Sequence, residues 1–433
     1  MKIHLYGNVL NNGYYLALIL RKLGYEAVLF LDFESPFSQD YPWWENSNLN
    51  ETNLPNWIRL YRFKPNFFIL GLNERKLISD FGKADVALVC GYGPIIAAKA
   101  KIPFVFYSYG GDLNIADTYR GLKKVVNQLV LLKRPSGILQ YPSIGLLQRF
   151  YLRKASFIGI GMGYQHAYLK ALGLTDKFAK IRFSINLDNF QFISDEKLEL
   201  EYTKYDRVFF MISRHTWANL WGDATKGNDK FIKSFAKYVS NYSPNVKLIL
   251  IEKGPDVHLS KSLIRKLNIE KYVVWISEMN KDGIKKYLAL KNFIGVDQFS
   301  NNSWYRLFPE DLNHEIVKEF IRTGKRELIK NITNEQLSLT TFGTGSIETM
   351  MAKRPLITTF TDFDFYENEP SPHFNAFTEG EIYDVLERIH KMSDIELQSV
   401  GQAEYDFIYK FHRYESSAKL FIDLLIKALE SNR

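Results

Sequence analysis

The residues best suited to chemistry lie in a few short turns. Gly343-Thr344-Gly345-Ser346 leads into a helix-like run that carries one carboxylate, Glu348. Ser346 is a good N-cap residue, and an acid in the first helical turn complements the positive end of the helix dipole. The same pattern also suits an anion site, because small residues let a ligand approach the free N–H groups of a helix start. A carboxylate two residues further on would accept hydrogen bonds from hydroxyls of the same ligand. Phosphate and hydroxyls together are the chemistry of a nucleotide.

Four other turns carry comparable residues. Ser213-Arg214-His215 follows the apolar run RVFFMI, and Lys226-Gly227 opens a helix-like stretch soon after. An arginine and a lysine near one helix start can neutralise a diphosphate, although exposed bases are common. His215 suits proton transfer or packing, and Trp217 and Trp221 suit a pocket floor or a core. Asp297-Gln298 ends FIGVDQF and reads as a pair of hydroxyl binders or as a buried structural pair. In Tyr109-Gly110-Gly111-Asp112, two glycines admit a ligand to the backbone, and Asp112 binds hydroxyls or caps a helix. Gly7-Asn8-Val9-Leu10-Asn11-Asn12-Gly13 is a strand–helix turn or a flexible loop closing on phosphate or acceptor, with Gly7, Asn12 and Gly13 as its candidate residues. It is not the GxGxxG of a dinucleotide site, and no P-loop, HExxH or GxSxG occurs.

Elements of one kind must place these turns. MKIHLYG, AVLFLD, DVALVC, PFVFYSYG, SFIGIG and IRFS read as strands of a first half, with helices such as NNGYYLALILRKLGYE and HAYLKALGL between them. RVFFMIS, VKLILIE, YVVWIS, FIGVDQF and PLITTF read as strands of a second half, alternating with GNDKFIKSFAKYVSNY, KSLIRKLNI, DGIKKYLALK and EIYDVLERIHKM. Such alternation predicts parallel sheets covered by helices, with ligands at the carboxyl ends of the strands. Each candidate turn falls at such an end. The polar stretch INLDNFQFISDEKLELEYTKYD reads as a linker. The expected domains are 1–195 and 205–394, followed by a helical segment over 395–433.

Bulk properties agree with a folded α/β chain. The 433 residues exceed one ordinary core, and 46% are hydrophobic and 24% charged. The single cysteine, Cys90, excludes internal disulfides and a Cys-rich zinc site. The N-terminal stretch lacks signal-peptide features and no apolar run reaches membrane-spanning length, so a cytoplasmic protein is expected. The net charge of +8 favours anionic partners, but no nucleic-acid recognition motif is present, and nucleic acid is not an expected partner.

Four stretches, in order, resemble glycosyltransferases of the GT-B fold, in the large retaining group called family 4. They are GNVLNNGYYLALILRKLGYEAVLF, SRH with TKGNDKFIKSF, KLILIEKGPDVHLSKSLIRKLNIEKYVVWIS, and FGTGSIETMMAKRPLI. The resemblance runs nearly full length and implies two facing Rossmann-like domains, with C-terminal helices crossing back to the first. It implies an acceptor domain followed by a nucleotide-sugar donor domain. Arg214 and Lys226 would hold the donor's diphosphate, Glu348 the ribose hydroxyls, and Gly343 to Ser346 the phosphate and sugar. Main chain around Ile276 to Met279 would meet the base. The implied reaction is retaining transfer from a nucleotide diphosphate sugar to a hydroxyl acceptor, with no obligatory metal.

Two departures stand out. The family carries a glutamate where this chain has Thr340, so Asp297-Gln298 is the substitute candidate for the donor sugar. Residues 301–339 would then be an insertion. The family's HGxD is here YGGD, with Tyr109 in place of histidine, which leaves Asp112 and backbone carbonyls to act. A sugar-nucleotide epimerase and a degenerate sugar- or nucleotide-binding subunit are the alternatives. The basic, apolar segment 120–155 suits a membrane surface and a lipid-linked or membrane-proximal acceptor, or an ordinary pair of helices.

Overall fold

Among the described residues, thirteen strands form two sheets, and every pairing is parallel. The computed structural model describes the chain apart from residues 33–39, 62–71, 109–112, 114–145, 162–164, 183–190, 219–225, 300–318, 320–341, 361–362 and 432–433. The first sheet holds β1 (Lys2–Tyr6), β2 (Glu26–Asp32), β3 (Ile58–Tyr61), β4 (Val86–Val89), β5 (Phe104–Ser108), β6 (Phe157–Ile160) and β7 (Phe178–Lys180). The second holds β8 (Arg207–Met211), β9 (Val246–Ile251), β10 (Val273–Ile276), β11 (Phe293–Val296), β12 (Leu356–Thr358) and β13 (Phe374–Asn375). Their orders are β3-β2-β1-β4-β5-β6-β7 and β10-β9-β8-β11-β12-β13. Each order reverses once, between β1 and β4 and between β8 and β11. Those reversals are the switch points at which open α/β sheets open a crevice for ligand.

The sequences explain the strands. Sheets covered on both faces need continuous apolar runs, and VALV, FVFYS and FIGV are buried at every position. Two clusters line the second sheet, one around Phe209, Phe231, Phe235 and Tyr238, the other around Phe210, Ile249 and Phe293. Helix α1 (Asn12–Lys22) packs Leu16, Ala17 and Leu20 into the first sheet's core.

The chain divides into two compact units, 1–186 with 412–433, and 187–411. These boundaries differ from those read in sequence. The stretch read as a linker contains helix α2 (Glu196–Tyr202), capped by Asp195, and buries Tyr202 in the second unit's core. The expected C-terminal segment is shared between the units. Its first helix, Asp394–His412, belongs to the second unit, where the Glu404 carboxylate accepts from Leu356 N at 3.1 Å. Its second helix, Tyr414–Glu430, returns to the first unit and buries Phe421, Leu425 and Ala428 against that sheet. Those positions recur at helical spacing, and burying such side chains stabilises by about 1.5–3 kcal/mol for a Phe or Leu. The strand expected at IRFS lies earlier, at Phe178–Lys180.

Candidate functional site

The second unit gathers most of the candidate side chains at its switch point. Strand β8 ends at Met211 and pairs with Val296, the last residue of β11. Ser213, Arg214 and His215 therefore emerge beside Asp297 and Gln298, and the Ser213 hydroxyl donates to Asp297 O at 3.0 Å. Lys226 sits just before helix α3 (Asn228–Tyr242), whose N-cap is Gly227 at φ +63°. A side chain there would meet the Phe299 backbone at 2.8 Å, so glycine is required. Phe299 N also donates to Lys226 O at 2.8 Å, which ties the helix start to the end of β11.

Lys226 donates its ammonium to Gln298 Oε1 at 2.5 Å. Burial lowers its pKa; Asp297 opposes that shift and Arg214 adds to it. Arg214 is half-buried and makes no hydrogen bond or ion pair among the described residues. Among the described residues the site therefore holds a guanidinium with no ion-pair partner beside a desolvated ammonium, an arrangement suited to a phosphate-bearing anion.

The glycine turn departs from expectation. Helix α4 (Thr344–Met351) begins at Thr344, with Gly343 as N-cap, and no acid lies in its first turn. Ser346 is not the cap. Its buried hydroxyl donates to Asp297 Oδ2 at 2.5 Å, and that long-range partner outcompetes local capping. Glu348 consequently lies beyond the first turn. The helix's first backbone bond runs from Ile347 N to Gly343 O, so the N–H groups of Thr344, Gly345 and Ser346 have no acceptor within the helix. A Cβ on Gly343 would sit 2.6 Å from Asp297 Oδ2. The small residues thus let the helix start approach Asp297.

Glu348 is ion-paired with Lys281, the first residue of helix α5 (Lys281–Leu288), and both side chains are largely covered. The sequence reading missed Lys281. Its only signal was a lysine two residues past the segment expected at the base. In that segment, Ile276 O accepts from Glu252 N at 2.8 Å.

His215 is buried, bonds Ser260 through Nδ1 at 2.8 Å and packs against Trp275 with the rings tilted at 45°. Burial lowers its pKa to about 4, so it is a neutral packing histidine at pH 7. Trp217 is held by Asp256 and Ser260.

The first unit's turn is built differently. Gly7 has φ +93°, and a Cβ there would lie 2.2 Å from Cys90 Sγ. A Cβ on Gly13 would lie 2.2 Å from Gly7 O. Asn8 donates to Asn11 and to Asp40 O, both at 2.7 Å, and accepts from Tyr14 N at 2.7 Å. Asn11 donates to Tyr41 O, and Asn12 donates to Val9 O. The turn is tied off locally, and its glycines have steric reasons. Gly110, Gly111, Asp112, Tyr109 and Thr340 lie outside the described residues, as does nearly all of 301–339.

Among the described residues, no group of three or more His, Cys, Asp or Glu could hold a metal. The sequence does contain one Asp-x-Asp, Asp362-Phe363-Asp364, of whose aspartate side chains nothing is described. No helix among the described residues is long and apolar enough to cross a membrane.

No protein-family model matches the sequence, and no curated protein matches it. Solved structures do match. The chain has the GT-B fold, as two wholly parallel doubly wound sheets and its structural neighbours define it. One neighbour is HepE of Anabaena with UDP and glucose, at 15% identity and TM-score 0.64, covering 98% of this chain and 99% of that one. Another is a Rickettsia africae glycosyltransferase, at 14% identity and TM-score 0.60, covering 99% of each chain. Sucrose-phosphate synthase of Thermosynechococcus elongatus matches at 12% identity and TM-score 0.58, covering 100% of each.

Proposed function

We propose that this chain is a glycosyltransferase that moves a sugar from a nucleotide diphosphate sugar to a hydroxyl acceptor, with retention. The observation that carries this reading is the cluster at the second switch point. There, Arg214, unpaired among the described residues, and desolvated Lys226 lie with Asp297 and Gln298 at the start of α4, the helix that also carries Glu348. Among proteins of the same fold, HepE has been solved with UDP, with UDP and glucose, and with UDP-glucose.

Arg214, Lys226 and the N–H groups would stabilise the departing diphosphate. Glu348 would accept the ribose hydroxyls, and Asp297 and Gln298 those of the donor sugar. The acceptor oxygen would bond to the anomeric carbon on the face the phosphate leaves. The carbon–phosphate oxygen bond breaks with its electron pair going to the diphosphate, and a phosphate oxygen takes the acceptor's proton. Asp112, Gly110 and Gly111 would serve the acceptor side. NMR assignment of the product anomer tests this: the donor's configuration is expected, and the inverted one contradicts retention. Chelator is expected to leave the rate unchanged; its loss would direct attention to Asp362 and Asp364.

The acceptor would be a glycan at or near an anionic membrane, met from the cytoplasmic side. Residues 146–152 are helical, and Leu146 and Phe150, one turn apart, are 55% and 57% exposed. Arg149, Arg153 and Lys154 lie beside them, with Lys154 Nζ 5.4 Å over the Phe150 ring. Apolar side chains flanked by bases suit an anionic lipid surface. Flotation with anionic vesicles is expected to carry the protein, and a soluble Phe150→Ser variant would support that face. Wild type staying in the soluble fraction at low salt would contradict it.

A further inference from the structure

Lys281 is placed where a lysine is ordinarily disfavoured. It is the first residue of α5, at the positive end of that helix's dipole, and its side chain is only 14% exposed. Neither the dipole nor burial favours a cation there. What favours it is Glu348, which is 13% exposed and paired with it across the two helices. Glu348 in turn lies past the first turn of α4, where its own helix dipole gives little help.

The pair also joins two pieces of backbone. One is the loop from Ser277 to Asn280 after β10, closed by Asn280, whose side chain caps α5 through Gly283 N at 3.1 Å. The other is the helix whose start faces Asp297. The ammonium occupies one carboxylate oxygen, and a carboxylate offers about four acceptor sites in all. Acceptor capacity for the two hydroxyls of a ribose therefore remains on Glu348.

We infer that Lys281 is a positioning residue for nucleotide selection: it holds the Glu348 carboxylate oriented to accept both hydroxyls of a ribose, so that ribonucleotides are preferred over 2′-deoxyribonucleotides. This rests on the nucleotide reading above. Lys281 pairs with the Glu348 carboxylate, whereas the diphosphate is assigned above to Arg214 and Lys226. Its removal therefore weakens the hydroxyl contacts and leaves the phosphate contacts of Arg214 and Lys226 in place.

The test is calorimetric binding of three matched pairs: UDP with 2′-deoxy-UDP, GDP with 2′-deoxy-GDP, and ADP with 2′-deoxy-ADP. The wild type is expected to favour the ribo form of the pair it binds by about tenfold or more, the size of one hydrogen bond to a charged group. Lys281→Met is expected to lower ribo affinity, barely change deoxy affinity, and bring the ratio towards one. Lys281→Arg restores the preference. Glu348→Gln gives the same collapse, and adding Lys281→Met to it lowers the ratio no further, which keeps the test valid if one variant folds poorly. Equal losses for both forms in Lys281→Met would overturn the inference, as would a wild type that binds both forms alike. Failure of the wild type to bind any pair would instead overturn the nucleotide reading itself.

Discussion

The two switch points of this chain share a topology and use it in opposite ways. At the first, the turn after β1 is built on neutral amides. Asn8, Asn11 and Asn12 satisfy one another, the local backbone and the Asp40–Tyr41 segment. At the second, charged side chains are brought together beneath a helix start, and Arg214 has no partner among the described residues. A turn that satisfies its own polar groups stabilises the fold. A turn that leaves charge uncompensated gives up some of that stability and gains a place for a ligand of opposite charge.

The largest effect on stability is expected in the neutral turn. Gly7→Ala forces a left-handed backbone onto alanine and drives a methyl against Cys90. A loss of about 2–4 kcal/mol is expected from the strain and overpacking together, read by urea unfolding. A loss under about 1 kcal/mol, the scale of glycine's backbone freedom alone, would mean that the contact relaxes freely.

A comparable effect is read through pH. His373 in the second unit is enclosed by Phe342 and Phe360, with neither ring nitrogen bonded, and burial lowers its pKa to about 3. The unfolded chain regains the usual value of 6.5 and so binds the proton first. The stability that neutral His373 allows is intact above pH 6.5 and falls by up to about 1.4 kcal/mol per pH unit as pH drops through that window. His373→Phe is expected to flatten the slope between pH 6.5 and 4.5. An unchanged slope would assign the acid sensitivity elsewhere, with His215 and His4 as the next variants.

The smallest effect on stability is expected at the charged switch point. Arg214→Ala breaks no internal bond among the described residues, so a change within about 0.5 kcal/mol is expected in the same unfolding experiment. A large loss would make Arg214 structural and erase the contrast between the two turns.

Much of the fold was legible because parallel strands buried on both faces leave apolar runs that alternate with amphipathic ones. VALVC, PFVFYS and FIGV needed no further information. β3 and the two-residue β13 were harder, since IRLY carries an arginine and FN is too short for any pattern. The start of α4 was misread at Ser346, because the hydroxyl's partner, Asp297, is remote in sequence. Arg214, Lys226, Asp297 and Gln298 were found together because strand ends order them. Lys281 was not, since an ion pair between two helices leaves no local mark. The asparagines of the first turn looked available because a sequence does not show which amides are already bonded.

The most direct test of the central claim is a thermal-shift comparison of UDP, GDP, ADP, TDP and CMP on the wild type, Arg214→Ala and Glu348→Ala. A nucleotide at about 100 times its dissociation constant stabilises the folded state by about 2.7 kcal/mol, enough to move the midpoint by several degrees. The predicted result is one nucleoside diphosphate that raises the wild-type midpoint and fails to raise that of either variant. A shift undiminished in Arg214→Ala, or no shift with any nucleotide, would contradict a nucleotide site at the second switch point.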